Sequence, residues 1–250
     1  MIYEPQGPGF EGENVVKTSQ SGRVALYLLI SIASTLLLYF VIPYGRVIGY
    51  PLVLLSTLAH ELGHGIAAVL VGGEFLEFRM HDNGSGVAVT RSTHALQRAA
   101  VLAGGLIGPA VVAGLGFRFG RQEKAAKQTL MVMGVLLLIT DVWVVRNLFG
   151  FFFVFVAGGL CIFVARKASP TLCQFALLFV STQLALSVFS RADYLFTKEA
   201  NLGGGQVMPS DVAQMAEVLI LPYWCWGIAC GGISLSVLYY GIRSSLAVKP

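Results

Sequence analysis

The chain has 250 residues, 56% of them hydrophobic and only 12% charged, with a mean hydropathy of +0.73. Soluble domains carry about 25% charged residues, so a soluble globular enzyme is excluded and an all-α polytopic membrane protein embedded in a lipid bilayer is indicated. The formal charge of +4 does not point to nucleic acid, because Lys and Arg sit in short segments beside apolar runs and form no single patch.

Residues 1–22 read as a polar N-terminal tail with Glu4, Glu11 and Glu13, lacking the basic start and short apolar core of a signal peptide. Residues 23–245 read as one integral-membrane domain. Apolar runs of the ~20 residues that cross a ~30 Å hydrocarbon core fall near 24–44, 51–71, 97–117, 128–146, 149–166, 171–190 and 218–241. Only Arg146-Asn147 separates the fourth from the fifth, so these form either a tight hairpin or one broken helix, and the count is seven or six.

The second run contains His60-Glu61-Leu62-Gly63-His64, an H-E-x-x-H motif. On a helix, i and i+4 share a face, so both imidazoles reach one metal ion while Glu61 points at a metal-bound water. Zinc lowers the pKa of such water to about 7, and a carboxylate takes its proton as the water attacks a carbonyl. A buried pair bonded to a neighbouring helix is the bland alternative; the cost of burying ionisable groups near a bilayer centre argues for a task.

Between the second and third runs, about residues 74–90, the period changes. Leu76, Phe78 and Met80 alternate with Glu77, Arg79 and His81, and Asn83-Gly84 supplies a turn, predicting a β-hairpin. It is either an extramembrane loop or an edge that pairs with an extended substrate, in which case the backbone at Gly84 and Gly86 is a candidate substrate contact. The third run holds Gly104, Gly105, Gly108, Gly114 and Gly116, small residues that predict close packing against Gly63 and Gly65 of the motif helix. Arg118, Arg121, Lys124 and Lys127 follow, marking that loop as cytoplasmic, and seven alternating crossings then place the N-terminus and the hairpin outside. The four cysteines, Cys161, Cys173, Cys225 and Cys230, lie in apolar runs without C-x-x-C spacing and read as small core residues.

A catalytic zinc needs a third protein ligand. Asp141 is, besides Glu61, the carboxylate lying deep in a run. Counted along its helix it lies roughly 20 Å in, within about a turn of the histidines' depth, which makes it the first choice. Asp193, Asp211 and Asn147 compete; Asp211-Val212-Ala213-Gln214 also has the spacing of a helix-capping box.

The H-E-x-x-H core, Gly72-Gly73, Ser85-Gly86-Val87 and the small-residue stretch Ala103 to Pro109 resemble the site-2 protease family of intramembrane zinc metallopeptidases. More narrowly, the chain is similar to its bacterial peptidase M50B-like branch. Arg146-Asn147-Leu148-Phe149-Gly150 and the late Ser210-Asp211, followed by Pro222 and Trp224, match recurring positions there. The resemblance covers roughly residues 50–240. It implies a multi-pass protein of a bacterial plasma membrane, a Zn2+ cofactor, a membrane-protein substrate cut in regulated intramembrane proteolysis, and substrate-facing Asn147. The Leu-Asp-Gly motif that supplies the third ligand in better-known members is absent. A silent relative acting as a membrane-protein scaffold is the alternative; a transporter would need internal repeats, and none is evident.

Overall fold

The computed structural model describes residues 9–190, 192–203 and 206–247. Among them, helices α1 (Gly9–Phe40), α2 (Gly45–Ile48) and α3 (Tyr50–Leu70) precede a hairpin of β1 (Glu74–Met80) and β2 (Gly86–Arg91). Helices α4 (Ala95–Gly120), α5 (Glu123–Val144), α6 (Leu148–Lys167) and α7 (Pro170–Ser190) follow. A 3-10 turn (Ala192–Phe196), a second hairpin of β3 (Glu199–Gly203) and β4 (Gln206–Pro209), α8 (Asp211–Val218) and α9 (Tyr223–Leu246) complete the described chain. Seven of the helices are long and apolar enough to cross a membrane.

The boundaries depart from the apolar runs where backbone chemistry intervenes. Helix α1 begins at Gly9, so much of the expected tail is helical and Met1 to Pro8 lies outside the described residues. Once a helix is nucleated, extending it through residues without proline is cheap. The fourth and fifth runs are two helices, because Val145 at the α5 C-cap is extended (φ −73, ψ 129) and so is Asn147 before α6 (φ −141, ψ 152). The seventh run is likewise cut: Leu219 is extended (φ −126, ψ 159), and α9 starts only after Pro222. All four cysteines are free, with Cys173 and Cys230 buried.

The first hairpin does not stand clear of the helices. Tyr50 donates to the Asp82 carbonyl, Thr57 to the Gly84 carbonyl at 2.8 Å, and the Ala88 N–H to Glu61 at 2.7 Å, while Phe75 packs on Gly65. The hairpin therefore lies along α3 for about 22 Å, at ~1.5 Å per residue. Phe78 and Met80 are fully buried in a cluster with Leu54, Leu58, Val144, Val145 and Val154. Strand backbone survives at membrane depth only where protein satisfies its polar groups. On the β1 side the connection between α5 and α6 does so: Phe78 pairs with Val145 in parallel, and the Arg146 N–H donates to the Phe78 carbonyl at 2.9 Å.

Asn147 completes that edge. Its Oδ1 accepts from the Met80 N–H at 3.1 Å and its Nδ2 donates to the Met80 carbonyl, so the amide acts as one more residue of strand. Asn147→Ala leaves both Met80 groups without partners, at ~1–3 kcal/mol each. The expected result is a destabilisation of roughly 3 kcal/mol in thermal unfolding, with metal content unchanged.

Helix directions also correct the alternating topology. Contacts Tyr27–Phe175 and Thr35–Gln183 make α1 parallel to α7. Gly116 beside Ser181 and Gly120 beside Leu178 make α4 antiparallel to α7, and Gly63 on Gly104 with Gly108 on Ala59 makes it antiparallel to α3. Helices α1 and α3 thus run in the same sense, a fact apolar runs cannot encode. The start of α1 accordingly meets the basic loop: Gln20 donates to the Arg121 carbonyl at 2.9 Å, and Arg23 pairs with Glu123 at 2.9 Å. Arg23 thereby joins the face that the positive-inside rule assigns to the cytoplasm.

Candidate metal centre

Helix α3 presents His60 and His64 one turn apart, their Nε2 atoms separated by 3.2 Å. Helix α4 orients the second. Gly63 and Gly104 let the two backbones touch, and a side-chain carbon at Gly105 would lie 2.2 Å from the His64 ring. Into that gap the imidazole fits, with its Nδ1 at 2.8 Å from the Val101 carbonyl. A carbonyl only accepts, so Nδ1 carries the proton and Nε2 faces the centre with its lone pair.

The third group comes from the far end of the chain. Asp211 Oδ2 lies 3.2 Å from His60 Nε2 and 3.4 Å from His64 Nε2. Among the described residues, these are the one trio of His, Cys, Asp or Glu whose ligand atoms all lie within 4.8 Å of one another. The Asp211 side chain is buried, and its Oδ2 accepts no hydrogen bond despite the two ring nitrogens beside it. Donor atoms converging on a buried orphan oxygen suit a cation, and two imidazoles with one carboxylate suit zinc.

Local sequence explains how Asp211 is delivered. Ser210, not Asp211, is the N-cap of α8: its hydroxyl accepts from the Ala213 N–H at 3.2 Å and donates to the Thr197 carbonyl at 2.5 Å, and its own N–H donates to the Lys198 carbonyl at 2.9 Å. Ser210 thus relieves Asp211 of the capping work its spacing suggested, leaving that carboxylate for the histidines. Val212 and Met215 seat the helix against Leu102, Leu106 and Cys230.

Asp141 is not brought to the histidines. It is buried in α5, and neither carboxylate oxygen has a hydrogen-bonding partner. Asn147 stays outside the trio with its amide committed to Met80, and the Asp193 side chain lies outside the described residues. Sequence reasoning missed Ser210 as an anchor; the Pro209-Ser210 pair before a short amphipathic stretch was the available signal. It also missed Thr57, one turn before Glu61, which nothing in the motif marks.

Glu61, 7% exposed, borders a cleft of about 740 Å³ lined also by Thr57, His60, Gly84, Gly86, Ser187 and Tyr194. The Tyr194 ring stands edge-on to His60, with centroids 6.1 Å apart.

A trio of side chains able to hold a metal ion, with an acid at its rim and seven helices long and apolar enough to cross a membrane around it, fits the intramembrane metallopeptidases of the site-2 protease type. The chain belongs to the peptidase M50B-like family, whose model matches residues 27–241. Neither a curated protein nor a solved structure matches it.

Proposed function

We propose that the chain is a zinc-dependent intramembrane endopeptidase that hydrolyses a peptide bond of a membrane-protein substrate. The observation that carries this reading is the convergence of His60 Nε2, His64 Nε2 and Asp211 Oδ2 beside Glu61. The three donors hold the metal, with Asp211 in the role expected of Asp141. Bound zinc supplies Lewis acidity, bringing the pKa of water down to about 7.

Glu61 takes the proton of the attacking water and passes it to the leaving amine, so that one C–N bond is exchanged for a C–O bond and no proton is lost. Water and substrate enter through the cleft, whose hydroxyl groups at Thr57, Ser187 and Ser234 tolerate both. A helical substrate must unwind first, since its carbonyls are tied up in its own ladder. The backbone at Gly84 to Gly86 borders the cleft, but its Gly84 carbonyl is already taken by Thr57, so the extended substrate is assigned to the cleft beside it.

Elemental analysis tests the reading. Purified wild type reconstituted with zinc is expected to hold about one ion per chain, and His64→Ala far less, since two ligands do not make a catalytic site. A reconstituted wild type that holds none ends the metalloenzyme reading.

A further inference from the structure

We propose that strand β2 is the positioning element for the Glu61 carboxylate, through the Ala88 N–H and the absence of a side chain at Gly86. The inference rests on Glu61 acting as the base. In an antiparallel pair, bonded and non-bonded residue pairs alternate. The His81 N–H donates to the Ser85 carbonyl at 2.9 Å, and the register continues Met80 to Gly86, Arg79 to Val87 and Phe78 to Ala88. Alternation therefore turns the amides of Gly86 and Ala88 away from β1, toward α3.

Helix α3 occupies that outer edge with two side chains one turn apart. The Thr57 hydroxyl donates to the Gly84 carbonyl at 2.8 Å, and Glu61 Oε2 accepts from the Ala88 N–H at 2.7 Å. Between these bonds lies Gly86, where a side-chain carbon would stand 2.7 Å from Glu61 Cγ and 2.8 Å from Thr57 Cγ2. The Glu61 side chain thus lies flat against bare backbone, held by one oxygen and with Oε1 left for the water. A glutamate has three soft torsions, and a base must stand within about 2.6–3.2 Å of the proton it removes. Misplacement by about 1 Å costs on the order of 10²-fold in rate. The hairpin that resembles a substrate platform therefore serves the base, and at Ala88 the edge is already taken.

Three variants test this with zinc content, kcat and KM measured on a cleaved membrane-protein substrate. Gly86→Ala pushes on Glu61, and Ala88→Pro removes the N–H at a position outside the ladder, where proline is tolerated. Both are expected to keep their zinc and lose about 10²-fold in kcat, with KM within about threefold. Ala88→Gly keeps the N–H and retains the kcat that Ala88→Pro loses. In a Glu61→Gln background, Gly86→Ala should cost nothing further, because its effect runs through that carboxylate. Unchanged kcat in both Gly86→Ala and Ala88→Pro overturns the proposal, as does a loss confined to KM, which gives the edge to substrate. An additional loss in the double variant also overturns it, since the effect is then general. These outcomes are distinct from failure of the endopeptidase reading, in which wild type and Glu61→Gln do not differ.

Discussion

Asp211→Asn is expected to strip zinc from the protein and take cleavage with it, while Asp141→Asn keeps both. The substitution preserves shape and removes the negative charge that faces two ring nitrogens at 3.2 and 3.4 Å. Two neutral imidazoles then remain, one ligand short of a catalytic zinc site. Loss of a mere supporting contact typically costs 10- to 100-fold in metal affinity, and loss of a direct ligand is expected to cost more than about 100-fold. At Asp141 the same change replaces a buried carboxylate whose two oxygens have no partner, and nothing at the centre moves. Zinc per chain after dialysis against a weak chelator reads both. Full loading of Asp211→Asn together with loss in Asp141→Asn would return the ligand role to α5.

Glu61→Gln is expected to do the opposite: keep the metal and lose the chemistry. The Ala88 N–H that meets Oε2 at 2.7 Å finds an acceptor of the same geometry, though a weaker one, in the glutamine carbonyl, so the side chain keeps its place. What disappears is the capacity to accept a proton. Loss of a positioned acid or base costs about 10²- to 10⁴-fold, and cleavage of a co-expressed single-span protein should fall by that factor at constant zinc. Undiminished cleavage by this variant would rule out the water-activation mechanism.

Much of the fold was legible because the bilayer demands ~20 apolar residues per crossing. All seven spans and the hairpin after the second one were visible in hydropathy and in the change of period at Leu76. His60, Glu61 and His64 were visible because their spacing is local. Asp211 was harder to rank, because it lies outside every apolar run. Depth counted in residues along a span favours Asp141. That count assumes that polar segments stay at the surface. Here two of them do not. The first hairpin packs along α3, and the second leads into α8, which carries Asp211 to the histidines. Such placement is set by tertiary packing, by Asn147 on Met80 and by Ser210 on Thr197, and no one-dimensional pattern encodes it. Direction is equally hidden: apolar runs reveal that α1 and α3 exist, not that they run the same way.

The origin of the proposed third ligand would give the metal a second office. Asp211 and His64 are separated by about 150 residues, and a clip closing so long a loop removes on the order of 5 kcal/mol of disorder from the unfolded chain. Without the ion, α8 is held by its Ser210 bonds, by Arg98 on Gln214 and by the contact of Val212 and Met215 with α4 and α9, with Asp211 beside the two imidazoles. On the proposed reading, loading fastens α8 to α3 across that loop. Metal acquisition is then expected to act as a checkpoint of assembly, the unloaded chain being both inactive and more loosely tied.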